Sequence, residues 1–332
     1  MQKHHIFLIH GITDETSIDK DYKELCNLLR KNYKKQNKRI LDEDFELIPV
    51  KWQDKSTKLS RKLYERCFGE LEKSDKVLVA SDLNPAEQAS GFVKAIAHTP
   101  DALQLVVNKW NSFRPWRYFS TLFLGDLVAY VSKNNNGIRQ SVWNQMKPYL
   151  DKPEVPPFSI IGHSLGSKVA FDFVNSLFDQ NGPELFDLGV GSTNESISKK
   201  QLTEIKSSFV NLYTMGTQIP LYLNESISDL ENDKGDIDFE RIINPFSGLT
   251  NKWLNFVDCD DVSAYPVEPI FNCKNNLDKP SNPRDVLVKS GWIPQIAHSN
   301  YWKNKIVAEE IIKSLPLVEN AEVKEKVYAH AH

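Results

Sequence analysis

Five residues near the middle of the chain have types and spacing suited to covalent catalysis. Gly162-His163-Ser164-Leu165-Gly166 reads G-x-S-x-G. A serine hydroxyl is a weak nucleophile at neutral pH and becomes an effective one when a neighbouring base takes its proton. Flanking glycines suit a sharp turn in which the serine backbone is strained and its hydroxyl is lifted clear of its surroundings. The context agrees with the pattern. Phe158-Ser159-Ile160-Ile161 ahead of it is a short apolar run, and Leu165, Val169, Phe173 and Leu177 behind it repeat every four residues. A strand running into Gly162 and a helix opening directly after Ser164 predict a serine presented at a strand-to-helix turn.

The elements that must hold such a turn alternate along the chain. Ile6-Phe7-Leu8-Ile9, closed by His10-Gly11, predicts a strand buried on both faces. Ile18, Tyr22, Leu25, Leu29 and Tyr33 are spaced by three and four, the period of an amphipathic helix. Phe45 to Trp52 reads as a second strand, and Pro49 places it at an edge or a bulge. A polar helix is expected over 54–75. Residues 76–125 carry few strand signals but a dense aromatic cluster (Trp110, Phe113, Trp116, Tyr118, Phe119, Phe123), read as a helical insertion. One more helix is expected over 126–150, with Asn134-Asn135-Asn136-Gly137 as a point of interruption. After the third strand and its helix, 181–205 reads as a polar loop, Phe209 to Met215 as a strand, 224–250 as a long excursion and Trp253 to Asp258 as a strand. Val286-Leu287-Val288 with Trp292 to Ile296 suggests a final strand or hairpin, and Tyr301 to Leu315 a closing helix. Strands alternating with helices predict an α/β fold, a mostly parallel sheet with helices on both faces. In such sheets functional residues lie at the carboxyl ends of strands. The expected organisation is one domain, 1–316, carrying the insertion at 76–125, then a polar tail, 317–332.

Composition removes several function classes. The 332 residues are 40% hydrophobic and 26% charged, as in ordinary globular proteins. Lys plus Arg is 41 against 44 Asp plus Glu, a net charge of −3, without the basic excess of a nucleic-acid binder. No apolar run approaches the ~20 residues of a membrane helix, and Ile6-Phe7-Leu8-Ile9 is too short for a signal-peptide core. A cytoplasmic chain without stable membrane insertion is the expectation. The four cysteines form no C-x-x-C pair, so neither a zinc site nor a disulfide framework is expected. No metal or organic cofactor is implied.

The elbow and its context resemble the α/β-hydrolase superfamily, on its lipase and esterase side, where GHSLG is a common form. The resemblance runs from residue 5 to about 313 and leaves out 76–125 and 224–250. It implies an oxyanion hole, backbone N–H groups aimed where negative charge develops. One donor would be Leu165, the residue after the serine. Ile9-His10-Gly11-Ile12 resembles the HG-x motif of bacterial lipases, which makes Ile12 N–H the second donor and leaves His10 to prop the loop. The resemblance also places a histidine base between the last strand and the last helix. Of the eight histidines, His298 in Ile296-Ala297-His298-Ser299 fits that place. His4, His5, His98, His330 and His332 lie elsewhere in the chain, and His163 adjoins the serine too closely to turn back on it. The orienting acid should lie between them in sequence, after the penultimate strand. Asp261, followed by Val262 and with Pro266 beyond, fits best, with Asp258 its rival and Asp260 third. Met215-Gly216-Thr217-Gln218-Ile219-Pro220-Leu221 resembles a strand end that closes one wall of the site in lipase-like members.

By this resemblance the chain is expected to cleave carboxylic esters, of a small molecule or a lipid, through an acyl-enzyme. The aromatic insertion has two readings, packing of the domain itself or a cap whose Trp110, Phe113 and Trp116 line an acyl pocket. Thioester or amide hydrolysis and acyl transfer use the same serine, acid and histidine and stay open. So does a non-catalytic binding protein on the same fold.

Overall fold

Short apolar segments far apart in sequence hydrogen-bond side by side into one sheet. The computed structural model describes residues 2–11, 15–52, 137–178, 197–226, 252–271 and 282–316, with the isolated positions 62, 65, 66, 130, 230, 231, 236, 238, 242, 244–246 and 250. Within them the strands are β1 (His4–Ile9), β2 (Phe45–Val50), β3 (Phe158–His163), β4 (Phe209–Met215), β5 (Lys252–Asp258) and β6 (Arg284–Val288). They lie in the order β2-β1-β3-β4-β5-β6, and every neighbouring pair is parallel.

β1 and β3 are buried along their whole length. That is why they read as unbroken apolar runs, since both faces of these strands are covered. One face carries Ile6, Leu8, Ile161, Tyr213, Met215, Leu254 and Phe256. Packed on it are Ile18, Tyr22, Leu25, Leu29 and Tyr33 of helix α1 (Glu15–Asn37) and Val307, Ala308, Ile311 and Ile312 near the chain's end. The opposite face carries an aromatic row. Phe7 meets Phe158 at 5.9 Å between ring centroids, Phe158 meets Phe209 at 5.6 Å, and Trp253 meets Phe171 of the helix after β3 at 5.1 Å. Each fully buried large side chain contributes ~1.5–3 kcal/mol, so these two layers hold the sheet. β2 lies at the sheet edge, where the N–H that Pro49 lacks costs no ladder bond.

Two segments depart from the sequence reading, one settles an alternative it left open, and one is described in part. Within the expected loop over 181–205 a helix begins, running Lys199–Ser208 and capped by Ser198, whose hydroxyl accepts from the Gln201 N–H. It buries only Ile205, so it leaves no apolar period to read. Of the helix expected over 126–150, 130 and Gly137–Leu150 are helical, and 126–129 and 131–136 lie outside the described residues. The final hairpin is absent among the described residues. Of the two alternatives the single strand forms: β6 pairs in parallel with β5, and Pro294 opens a short helix, Pro294–Ser299, where a hairpin would need its second strand. The closing helix is divided: a 3₁₀ turn (Asn300–Lys303) ends at Asn304, whose side chain accepts from Ile306 and Val307 N–H and starts a new helix, Lys305–Ser314.

The chain divides into two compact units, one of 1–52 with 136–332, which holds the sheet, and one of 53–135. The expected helix over 54–75 (apart from 62, 65 and 66, which are helical), the insertion at 76–125 and the tail from 317 lie outside the described residues. Among the described residues no helix is long and apolar enough to cross a membrane.

The sheet also makes stability depend on pH. His4 is buried in β1 with Nε2 2.9 Å from the Ser159 hydroxyl. Burial, and then the charge of His5, push its pKa down to about 3. An unfolded His4 takes up a proton near pH ~6.5. Between that value and the folded pKa the unfolded state binds more protons, so stability is lost as pH falls through this window. We expect melting temperature to begin falling near pH ~6.5 and to drop steadily to pH 5, with the slope from a single such histidine approaching ~1.4 kcal/mol per pH unit. His4→Asn should flatten the slope. Thermal melts across this range check it, and an unchanged slope would rule His4 out as its source.

Candidate active site

The turn after β3 is built around a backbone that few residues tolerate. Ser164 has φ +56°, in the left-handed region that side chains other than glycine's seldom enter. Its N–H donates to the Met215 carbonyl at 2.9 Å, which ties the turn to the end of β4. Helix Leu165–Phe178 starts at the next residue, so Leu165 N–H belongs to the first turn, whose N–H groups have no partner within the helix. The spacing of Gly162 and Gly166 follows from how closely the chain passes itself. A Cβ on Gly166 would stand 2.4 Å from the Ile9 carbonyl oxygen, and one on Gly162 2.7 Å from the Gly166 oxygen. The end of β1 abuts the serine in the same way: a Cβ on Gly11 would lie 2.5 Å from Ser164 Cβ. Gly166→Ala therefore should destabilise the protein by ~1–3 kcal/mol, because the obstacle is backbone and cannot swing away. Calorimetry checks this, and an unchanged melting temperature would mean the turn relaxes freely.

Three side chains from three segments meet there: the turn after β3, the turn after β5 and the short helix Pro294–Ser299. His298 Nε2 lies 2.9 Å from Ser164 Oγ, and His298 Nδ1 lies 2.8 Å from Asp261 Oδ2. Burial alone would raise the Asp261 carboxyl. The hydrogen bond and charge of His298, with the Ser263 N–H and hydroxyl, outweigh it and hold the group below the usual carboxylate range. Asp261 is thus ionised at neutral pH and can only accept. Nδ1 must carry the imidazole hydrogen, which leaves Nε2 as an acceptor for the serine proton. All three residues are buried.

The rival acids sit elsewhere. Asp258 Oδ2 accepts from Ser290 and Gly291 N–H, and Oδ1 accepts from Asp260 N–H at 2.9 Å. It fastens the end of β5 to the loop that leads to His298. Asp260 pairs with Lys289 at 2.9 Å near the surface. His163 also has a structural contact. Its Nε2–H donates to the His298 carbonyl at 2.7 Å, and burial, then the charges of His298 and His10, keep its ring neutral. His10 stacks on Trp302 at 4.9 Å, its N–H donates to Tyr22 OH, and its carbonyl accepts from Trp52 Nε1 at 2.8 Å. These contacts anchor the end of β1.

Of the residues named from sequence, the structure brings Ser164, His298, Asp261 and Leu165 to one place. Ile12, Trp110, Phe113 and Trp116 lie outside the described residues. Two neighbours escaped the sequence reading. Ser263 donates its N–H and hydroxyl to Asp261 Oδ1 at 3.0 and 2.9 Å, and Tyr301 OH donates to Asp261 Oδ2 at 3.2 Å. The signals were there to read: Asp-x-Ser is a spacing for a side-chain-closed turn, and a residue three after His298 shares its side of a helical turn. Among the described residues no cluster of His, Cys, Asp and Glu could hold a metal ion, and Cys26 and Cys259 are free thiols. Compared with protein-family models and with curated proteins, the chain finds no match.

Proposed function

We propose that the protein is a serine hydrolase that cleaves carboxylic esters on an α/β-hydrolase fold. One observation carries this reading. A serine held at φ +56° lies 2.9 Å from an imidazole whose other nitrogen is 2.8 Å from a buried carboxylate. Such strain is costly and persists where the surroundings enforce it, which is the mark of a functional turn. The strand order supports the finer fold. β1 leads to β2 on one side and β3 to β4 on the other, so the carboxyl ends of β1 and β3 flank a switch point, the usual place for a site in a parallel sheet.

In the proposed reaction Ser164 Oγ attacks the ester carbonyl carbon as its proton passes to His298 Nε2. Asp261 holds the imidazole in the required tautomer and stabilises the imidazolium. The Leu165 N–H, at the start of its helix, faces the developing oxyanion, and Ile12 N–H is its proposed partner. The imidazolium then protonates the leaving alcohol. Water, deprotonated by the same histidine, cleaves the acyl-enzyme and restores the serine. The aromatic segment 76–125 is proposed as a cap on sequence grounds.

A fluorophosphonate probe should modify Ser164, located by peptide mass. A panel of p-nitrophenyl esters from acetate to palmitate should show turnover and its chain-length preference. Absence of both labelling and turnover across the panel would favour the non-catalytic reading.

A further inference from the structure

Asp261 has more donors than the ester reaction strictly asks of it. Its Oδ1 takes the N–H and hydroxyl of Ser263, and its Oδ2 takes both His298 Nδ1–H and the Tyr301 phenol. The phenol's direction is not free. Tyr301 oxygen accepts the Asp258 N–H at 2.8 Å, so its own hydrogen is turned away from β5 and toward Asp261, 3.2 Å off. The ring is wholly buried. Burial, then the Asp261 charge, push the phenol above its usual range, so it remains a donor at any working pH. Tyr301 follows His298 by three residues in the same local helical stretch. One short segment therefore delivers both the imidazole and a second donor to the same carboxylate oxygen.

We propose that Tyr301 is a positioning residue: its phenol shares Asp261 Oδ2 with His298, fixes the carboxylate's orientation and limits the negative charge that the imidazole feels. The proposal rests on the serine-hydrolase reading of Ser164, His298 and Asp261. His163 on β3, its ring 5.0 Å from that of His298, is held neutral by burial, and the ring of His10 lies 5.5 Å from that of His163 and stacks on Trp302. The Asp258 carboxylate is occupied by Ser290, Gly291 and Asp260 N–H. Asp260 is paired with Lys289.

The sign follows from electrostatics. Removing a donor from a carboxylate concentrates its charge on the remaining partner and favours that partner's protonated form. Tyr301→Phe should move the acid limb of kcat/KM against pH upward by about half to one pH unit. It should lower kcat ~10-fold with KM changed less than ~2-fold, since the lost contact touches no substrate. The same limb read from the pH dependence of fluorophosphonate labelling should move equally. Site-specific incorporation of a fluorinated tyrosine at 301 keeps the hydroxyl and the packing but makes it a stronger donor, and should move the limb downward. A limb that stays in place in both variants would overturn the role of Tyr301. Failure of the wild-type protein to label at Ser164 would instead remove the hydrolase reading on which it rests.

Discussion

Ser164→Ala will fold as the wild type does and lose at least ~10³-fold of its ester hydrolysis. The fold is expected to survive because alanine occupies less space than serine, and the turn is held by contacts that the substitution leaves alone. Ser164 N–H still reaches the Met215 carbonyl, and Gly162 and Gly166 still let the helix press on the end of β1. Activity is expected to collapse because the substitution removes the hydroxyl that stands 2.9 Å from His298 Nε2. What persists would come from positioning of the ester and from Leu165 N–H, without an acyl-enzyme. Melting temperature and a p-nitrophenyl ester assay on one preparation are sufficient. Retention of more than a tenth of wild-type activity with an intact fold would show that Ser164 is not the nucleophile.

Asp261→Asn and Asp258→Asn, compared side by side, should separate orientation of the base from support of its loop. Asp261→Asn should lower kcat/KM by ~10³- to 10⁴-fold. An amide NH₂ facing His298 Nδ1 favours the tautomer with hydrogen on Nε2, which cannot take the serine proton. Asp258→Asn should cost less than ~10-fold in activity, and it should lower melting temperature, because its oxygens receive Ser290, Gly291 and Asp260 N–H and not the imidazole. Steady-state kinetics with thermal melts on both variants decides the matter. The reverse order of activity losses would transfer the acid's role to Asp258.

Several features were legible because they depend on near neighbours. β1 and β3 are unbroken apolar runs since both faces of a central parallel strand are covered, and Pro49 marked β2 as an edge or a bulge, of which the sheet shows the edge. The G-x-S-x-G spacing marked the elbow, although only Gly162 answers to near neighbours, Gly166 and Ser167, while Gly166 answers to Ile9 and His10 at the end of the distant β1. Other features were hidden for a physical reason. The helix Lys199–Ser208 buries one side chain and leaves no period, and Asn304 divides the last helix through a cap that is polar and local. The region from Trp292 to Ile296 reads as apolar strand, yet Trp292, Ile293 and Ile296 are exposed and Pro294 starts a helix instead.

At the site, the sequence by itself determined which residue types were available and in what order: a serine on a strand-to-helix turn, carboxylates at 258, 260 and 261, and a histidine before the last helix. It ranked Asp261 first, with Asp258 its rival and Asp260 third, but left the choice open among three carboxylates within four positions of each other. That choice belongs to the tertiary structure. The turn after β5 directs Asp261 Oδ2 to within 2.8 Å of His298, while Asp258 faces the loop after β6 and Asp260 faces Lys289. The spacing of Tyr301 from His298 could be read, but the partner of its phenol could not. Its phenol has meaning only where β5 brings the Asp258 N–H to one side of it and Asp261 to the other. Hydrogen bonds are decided by ångströms and angles, and those are set only when strands distant in the chain have come into register.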